Sequence, residues 1–284
     1  MKNTRNQQVN IPISKLRPFE GHPFKVRDDD EMNTLIESIQ TQGVLSPLIV
    51  RPIENTDEYE VISGHRRLHA AQKAGITEVP ALIYALDRDA AAIAVVDSNL
   101  HREHILPSEK AFAYKLKRDA MAHQGRTSPQ LGEKSLTVEK IGAEAGDSKN
   151  QVLRYIRLTH LIPELLDLMD EGKIALMVGE ALSYLGDKEQ YAVLEQCEMN
   201  DCTPSYAQAI EMKKRYQGRN LTVENISEIL SREKANQRET IKIPTEKLRK
   251  YAPNADAKQL EDFILKACEY YRKFLIRQRN RDER

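Results

Sequence analysis

Val61-Ile-Ser-Gly-His-Arg-Arg-Leu-His-Ala-Ala-Gln-Lys-Ala-Gly75 runs an apolar segment straight into a basic, amphipathic helix. Gly64 permits a close backbone approach because it carries no Cβ. A helix that starts there offers unpaired N–H groups and a positive dipole end, which favour an anion. Arg66 and Arg67 add forked donors suited to phosphate oxygens, and Ser63 and His65 flank the same turn. The stretch predicts a phosphate site at a strand-to-helix junction.

Outward from it, the pattern from Val9 to about Leu86 is mixed α/β. Strands are predicted at Val9–Ile13, Pro47–Arg51, Tyr59–Ile62 and Val79–Tyr84. An acidic start at Asp28–Glu31 precedes a helix carrying Met32, Leu35, Ile36 and Ile39, which Gly43 ends. Beyond Asp87 nearly everything has helical period, including Ala90–Asn99 and a helix led in by Pro107-Ser-Glu109. Gly125–Gly132 reads as a loop, Glu239–Ile243 as one further strand, and Asp256–Arg281 as a helix with a broad apolar stripe.

The resulting expectation is an α+β N-terminal domain, then an all-α domain and a helical C-terminal segment. Its boundaries are a polar tail at 1–8, the α+β domain with the phosphate site at 9–100, a helical domain at 101–217 and a possible dimerisation segment at 218–284.

Leu136–Leu158 reads as a helix-turn-helix. Thr137 is placed as the cap of the first helix, Gly146 in the turn and Ser148 as the cap of the second. Val152 and Ile156 pack inward, which leaves Lys149, Asn150, Gln151, Arg154 and Tyr155 near an exposed face able to reach bases and phosphates. An ordinary helical hairpin is the competing reading.

The chain has 284 residues with 43 basic and 43 acidic side chains, so any nucleic-acid contact must come from local patches. The odd set Cys197, Cys202 and Cys268 points to a reduced, cytoplasmic protein, with the cysteines read as buried helix residues rather than zinc ligands. No apolar run is long enough for a membrane span, and the N-terminus is not a signal peptide. His65 and His69 share a helix face, and His101 and His104 follow later, but no third ligand is specified. These histidines read as surface or phosphate-contacting residues.

Taken in order, the motifs resemble the ParB family, the centromere-binding proteins of bacterial DNA segregation. His22-Pro-Phe-Lys-Val-Arg27 resembles the family's Asn-Pro-Tyr-Gln-Pro-Arg, and Gly64-His-Arg-Arg67 its Gly-Glu-Arg-Arg. Ser98-Asn-Leu-His-Arg102 resembles its Glu-Asn-x-x-Arg, with the helix-turn-helix following.

The resemblance implies a CTP-dependent DNA clamp. Gly64, Arg66 and Arg67 would hold the triphosphate, Asn99 would help bind Mg²⁺, and Arg102 would meet a phosphate. Arg27 and Gly43–Pro47 would lie near the nucleotide. It also implies a homodimer on a palindromic double-stranded DNA site, a nucleoid location and a ParA-like ATPase partner, with a DNA-binding regulator without segregation work as the alternative.

His65 and Ser98 replace the two glutamates of those motifs, which predicts weak or altered CTP hydrolysis. Sulfiredoxin-like chemistry is excluded because Ser63 and Gly64 stand where a catalytic thiolate is required.

Overall fold

The computed structural model describes residues 8–100, 102, 104–124, 131–200, 202–232, 245–253 and 256–282. It divides into a compact unit ending at Arg232 and a separate C-terminal unit.

The first unit opens with β1 (Gln8–Pro12), a 3-10 turn at Ile13–Lys15, and β2 (Leu16–Pro18). After these come α1 (Asp30–Gln42), β3 (Leu48–Pro52), β4 (Tyr59–Ser63), α2 (His65–Lys73), β5 (Glu78–Ile83) and α3 (Arg88–Asp97). The five strands form one mixed sheet in the order β1-β5-β3-β4-β2. Parallel pairs β5–β3 and β4–β2 alternate with antiparallel pairs β1–β5 and β3–β4. The short edge strand β2 was not foreseen; Pro18 can sit there because an edge position needs no ladder donor.

Successive residues of β4 point to opposite faces and both are buried. Val61 joins Leu48, Val50 and Ala81 under α1 and α2, with Met32, Ile39, Leu68 and Ala71. Ile62 faces the other way, against Val95 and Val96 of α3. Two sequence signals set the ends of α1. Asp29 accepts from the Met32 N–H at the start, and Gly43 closes the helix through a bond to Ile39 O.

The helical part consists of α4 (Pro107–Gln124), α5 (Leu131–Ala145), α6 (Lys149–Leu158), α7 (Pro163–Asp170), α8 (Leu176–Leu182), α9 (Asp187–Met199), α10 (Tyr206–Gln217) and α11 (Val223–Ser231). The core beneath Ile62 continues through Tyr114 of α4, Ile141 of α5 and Val152 of α6, so no break in packing falls at residue 100. A further core fills α7 to α11, and Ile226, Ile229 and Leu230 are buried in it. The compact unit therefore runs past the expected boundary at 217, because the amphipathic face of α11 needs α9 and α10 for cover.

Two local expectations are corrected. Leu131 and Gly132 belong to α5 rather than to a loop, and α5 starts well before Thr137. Thr137 is thus an interior helix residue, not a cap. Gly125–Gln130 and the expected strand at Glu239–Ile243 lie outside the described residues, as do the expected tail residues before Gln8 and His101.

The second unit contains α12 (Thr245–Arg249) and α13 (Ala257–Asp282). Phe263, Tyr270, Tyr271, Phe274 and Leu275 of the apolar stripe on α13 are exposed.

Candidate functional site

Gly64 follows β4 and leads into α2 with φ +105°, a left-handed conformation that disfavours any residue with a Cβ. A Cβ there would also lie 3.1 Å from both Leu48 Cγ and Arg67 Nη2. No side chain caps α2, so its first-turn N–H groups have no capping acceptor. Arg66 reaches toward α1, 3.1 Å from Glu31 and 3.7 Å from Asp29. Arg67 turns the other way and donates to Pro47 O at 2.8 Å and to Ser46 O, which ties down the loop after Gly43. Arg27 is exposed in the loop before α1, and Ser63 closes β4 opposite Ile49.

The loop from Phe19 to Arg27 crosses this region. His22 stacks on His65 with ring centroids 3.7 Å apart, and its Nδ1 lies 2.9 Å from Phe24 O. The Phe19 N–H points to His65 Nε2 at 3.5 Å. Burial, then the nearby His22 and Arg102, pushes the His65 pKa down to about 3, so the ring is neutral. His65 is thus a packed partner of His22 rather than a surface histidine. Arg102 lies over the Phe24 ring, 5.5 Å from its centroid, and burial lowers its pKa. His69 is a surface residue as expected, bonded to Asp28, which also pairs with Lys73.

Asn99 is 4% exposed, and its amide nitrogen donates to Val95 O and Ser98 Oγ at 2.8 and 3.1 Å. Ser98 in turn donates to Val95 O. The arrangement fits a polyanion well: an uncapped helix start, Gly64, and the guanidiniums of Arg66, Arg67 and Arg102. It fits a divalent cation poorly, since Ser98 and Asn99 supply only neutral oxygens. No group of three metal-ligating side chains occurs among the described residues.

The same loop is fixed to the helical part by contacts that carried no sequence signal. Glu109 accepts from the Lys25 and Leu106 N–H groups at 2.8 and 3.1 Å. Asp170 of α7 accepts from Ser108 N–H and Oγ and pairs with Lys25 Nζ. A polar stripe on α4 reaches further. Lys110 and Tyr114 hold Asp147 at 2.7 and 2.6 Å, and Lys117 holds both Asp97 and Glu144. Burial opposes the Lys117 charge, but those two carboxylates keep its pKa raised. Such long-range partners are invisible to local pattern.

α5 and α6 meet at a tight turn. A Cβ on Gly142 would lie 2.5 Å from Asp147 O, so glycine is required for the turn to close against α5. Ser148 caps α6 as expected, and Gln151 completes a reciprocal capping box. Asn150 is exposed, Lys149 pairs with Glu139, and Arg154 lies 3.4 Å from Glu180. Tyr155 departs from expectation. It packs edge-on against Tyr114 at 5.9 Å with the Lys110 ammonium over its ring, so it supports the core instead of presenting a free face. Leu153, 43% exposed, takes a place on the outer face that the sequence had assigned to polar residues.

The chain matches the family model of the ParB N-terminal domain over residues 1–100. It is 34% identical over 183 residues to the chromosome-partitioning protein Spo0J of Thermus thermophilus, covering 64% of this chain and 62% of that protein. It is 31% identical over 212 residues to a chromosome 1-partitioning protein ParB of Deinococcus radiodurans, covering 74% of this chain and 68% of that one. A solved structure of truncated ParB from Caulobacter crescentus, complexed to the centromeric parS site, is similar over 78% of this chain and 98% of that one, with 23% identity and a TM-score of 0.41. The chain belongs to the ParB family. Its match spans a little under two thirds of the Thermus relative.

Proposed function

We propose that this chain is a DNA-partition protein that binds a specific double-stranded site through α5 and α6 and is gated by CTP. The nucleotide's phosphates sit at the α2 start, met by Arg66, Arg67 and Arg102, with Arg27, Gly43, Ser63 and His65 around it. The observation that carries this reading is the uncapped, glycine-led N-terminus of α2 beside three guanidiniums. Asn99, which the resemblance assigns to Mg²⁺, supplies only a neutral oxygen, and no step is routed through a metal ion. Ser98 and His65 offer no carboxylate, so hydrolysis is slow and the nucleotide acts mainly as a switch.

On the DNA side Lys149, Asn150, Gln151 and Arg154 face the duplex, while Ser148 and Tyr155 hold α6 in place. Thr137, inside α5, belongs to the scaffold of this face. The exposed stripe on α13 serves self-association, and the protein works as a homodimer on the nucleoid with a ParA-like ATPase. Among the described residues no helix is long and apolar enough to cross a membrane.

Crosslinking the protein to DNA in cells and mapping the recovered fragments tests this reading. A clamp gives occupancy spreading for kilobases from one site, and Arg66→Ala confines it to that site. Occupancy confined to isolated points in the wild type would instead assign a regulator without a partition role.

A further inference from the structure

Cys197 and Cys202 meet at the end of α9. Asn200 is the C-terminal cap of that helix, which makes Cys197 the third residue before the cap and Cys202 the second after it. The Cys202 N–H bonds back to Cys197 O at 3.1 Å. This six-to-one backbone bond folds residue 202 back onto the last turn of α9, and at helix ends closed by such a bond the side chains at these two positions frequently touch. Here both are cysteines, and neither is in a disulfide. The backbone bond draws the Cα atoms toward the separation at which disulfides close, roughly 4.4–6.8 Å.

The two residues also line one cavity. Cys197 and Cys202 line a space of about 430 Å³ with Leu168, Lys173, Glu198 and Thr203. Its partly polar lining admits water and small polar oxidants. Cys197 is buried, whereas Cys202 lies outside the helix and is partly exposed, so the pair has an outer and an inner member.

We propose that Cys197 and Cys202 form a reversible, peroxide-sensitive thiol pair. The Cys202 sulfur attacks hydrogen peroxide, the O–O bond breaks, and a sulfenic acid and one water result. The Cys197 sulfur then attacks the Cys202 sulfur. The S–S bond forms, the S–O bond breaks, and the hydroxyl leaves as a second water with the Cys197 proton. Two thiols lose two electrons and peroxide gains them. A dithiol reductant reverses the change. The bond staples the last turn of α9 to the segment that leads into α10, whose first turn Ser205 caps. A cytoplasmic disulfide of this kind belongs to the transient, redox-sensing class.

The test uses the full chain carrying Cys268→Ser, which removes the exposed cysteine of α13 and with it crosslinks between copies. The reduced protein is exposed to hydrogen peroxide, alkylated with N-ethylmaleimide, and read by intact mass and peptide mapping. The expected result is one intramolecular Cys197–Cys202 disulfide, lost on adding dithiothreitol and accompanied by a higher midpoint of thermal unfolding. In Cys202→Ser, Cys197 stays alkylatable after the same treatment. The proposal is overturned if both thiols remain alkylatable, or if the oxidised cysteines carry only sulfinic or sulfonic acids. A disulfide that forms equally fast in urea-unfolded chain also overturns it, since proximity would then owe nothing to the fold.

Discussion

Lys117, fully buried on α4, donates to the carboxylate of Asp97, the residue that ends α3 directly before Ser98 and Asn99. The same ammonium bonds to Glu144 in the last turn of α5. One cation therefore joins the Ser98–Arg102 motif to the helix pair proposed to meet DNA. Asp97 and Glu144 are each about half exposed, so both can regain water if the lysine is lost, and the penalty stays below that of a wholly buried pair. Lys117→Met is expected to lower unfolding stability by about 1–2 kcal/mol in urea melts. A neutral or stabilising effect would show that the triad is dispensable.

Gly64→Ala combines a positive φ with two close contacts at 3.1 Å. The expected cost is about 1–2 kcal/mol of stability. Because the new methyl displaces Arg67, triphosphate affinity should fall by more than the stability change explains. Isothermal titration on the folded variant separates the two effects, and unchanged affinity would detach Gly64 from the phosphate site.

Acid should weaken the fold through His65. Its folded pKa, about 3, lies below the ordinary value of 6.5, so the unfolded chain binds the proton more readily. The stabilisation is complete above pH 6.5 and is lost as pH falls from there toward 3. The slope approaches about 1.4 kcal/mol per pH unit for one proton. His22 shifts in the same direction, chiefly through burial. Chemical melts from pH 7.5 to 5 should therefore show a shallower pH dependence in His65→Gln than in the wild type. Equal slopes would mean that His65 is protonated within the fold.

Much of the fold was legible because it rests on local signals. The apolar strand through Val61 and Ile62, the acidic helix start at Asp28–Glu31, the Ser148 cap and the Gly43 stop all sit where the sequence places them. What was missed rests on partners distant in the chain. Glu109 read only as part of a helix start and Asp170 carried no reading, until the fold brings them to Lys25 and Ser108. Tyr155 read as an exposed contact because helical period gives a face but not what packs on it; Tyr114 and Lys110 come from another helix. Thr137 looked like a cap because the preceding residues lack periodicity, and the start of α5 at Leu131 is set elsewhere. The arginines were found in sequence, whereas their resting partners, Glu31, Asp29 and two loop carbonyls, were not.

The α6 face makes a salt-dependent prediction. Arg154→Ala removes one candidate phosphate contact, and its partner Glu180 is partly buried. DNA affinity should fall, and the slope of log affinity against log salt should become shallower by roughly 0.9 per lost contact on duplex DNA. Nucleotide affinity should be unaffected. An unchanged salt slope would place the DNA on another face.

The most direct measurement is the affinity of CTP, ATP and GTP for the wild type and for Arg66→Ala. Arg66 is preferred to Arg67, whose loss would also free the loop at Ser46 and Pro47. Its resting partners, Glu31 and Asp29, both reach solvent, so removing it leaves no buried charge behind. The predicted result is tightest binding of CTP by the wild type and a loss of about tenfold or more in the variant, the worth of one charge-assisted contact. Equal binding of all three nucleotides, or an unchanged CTP affinity in Arg66→Ala, would contradict a CTP switch at the start of α2.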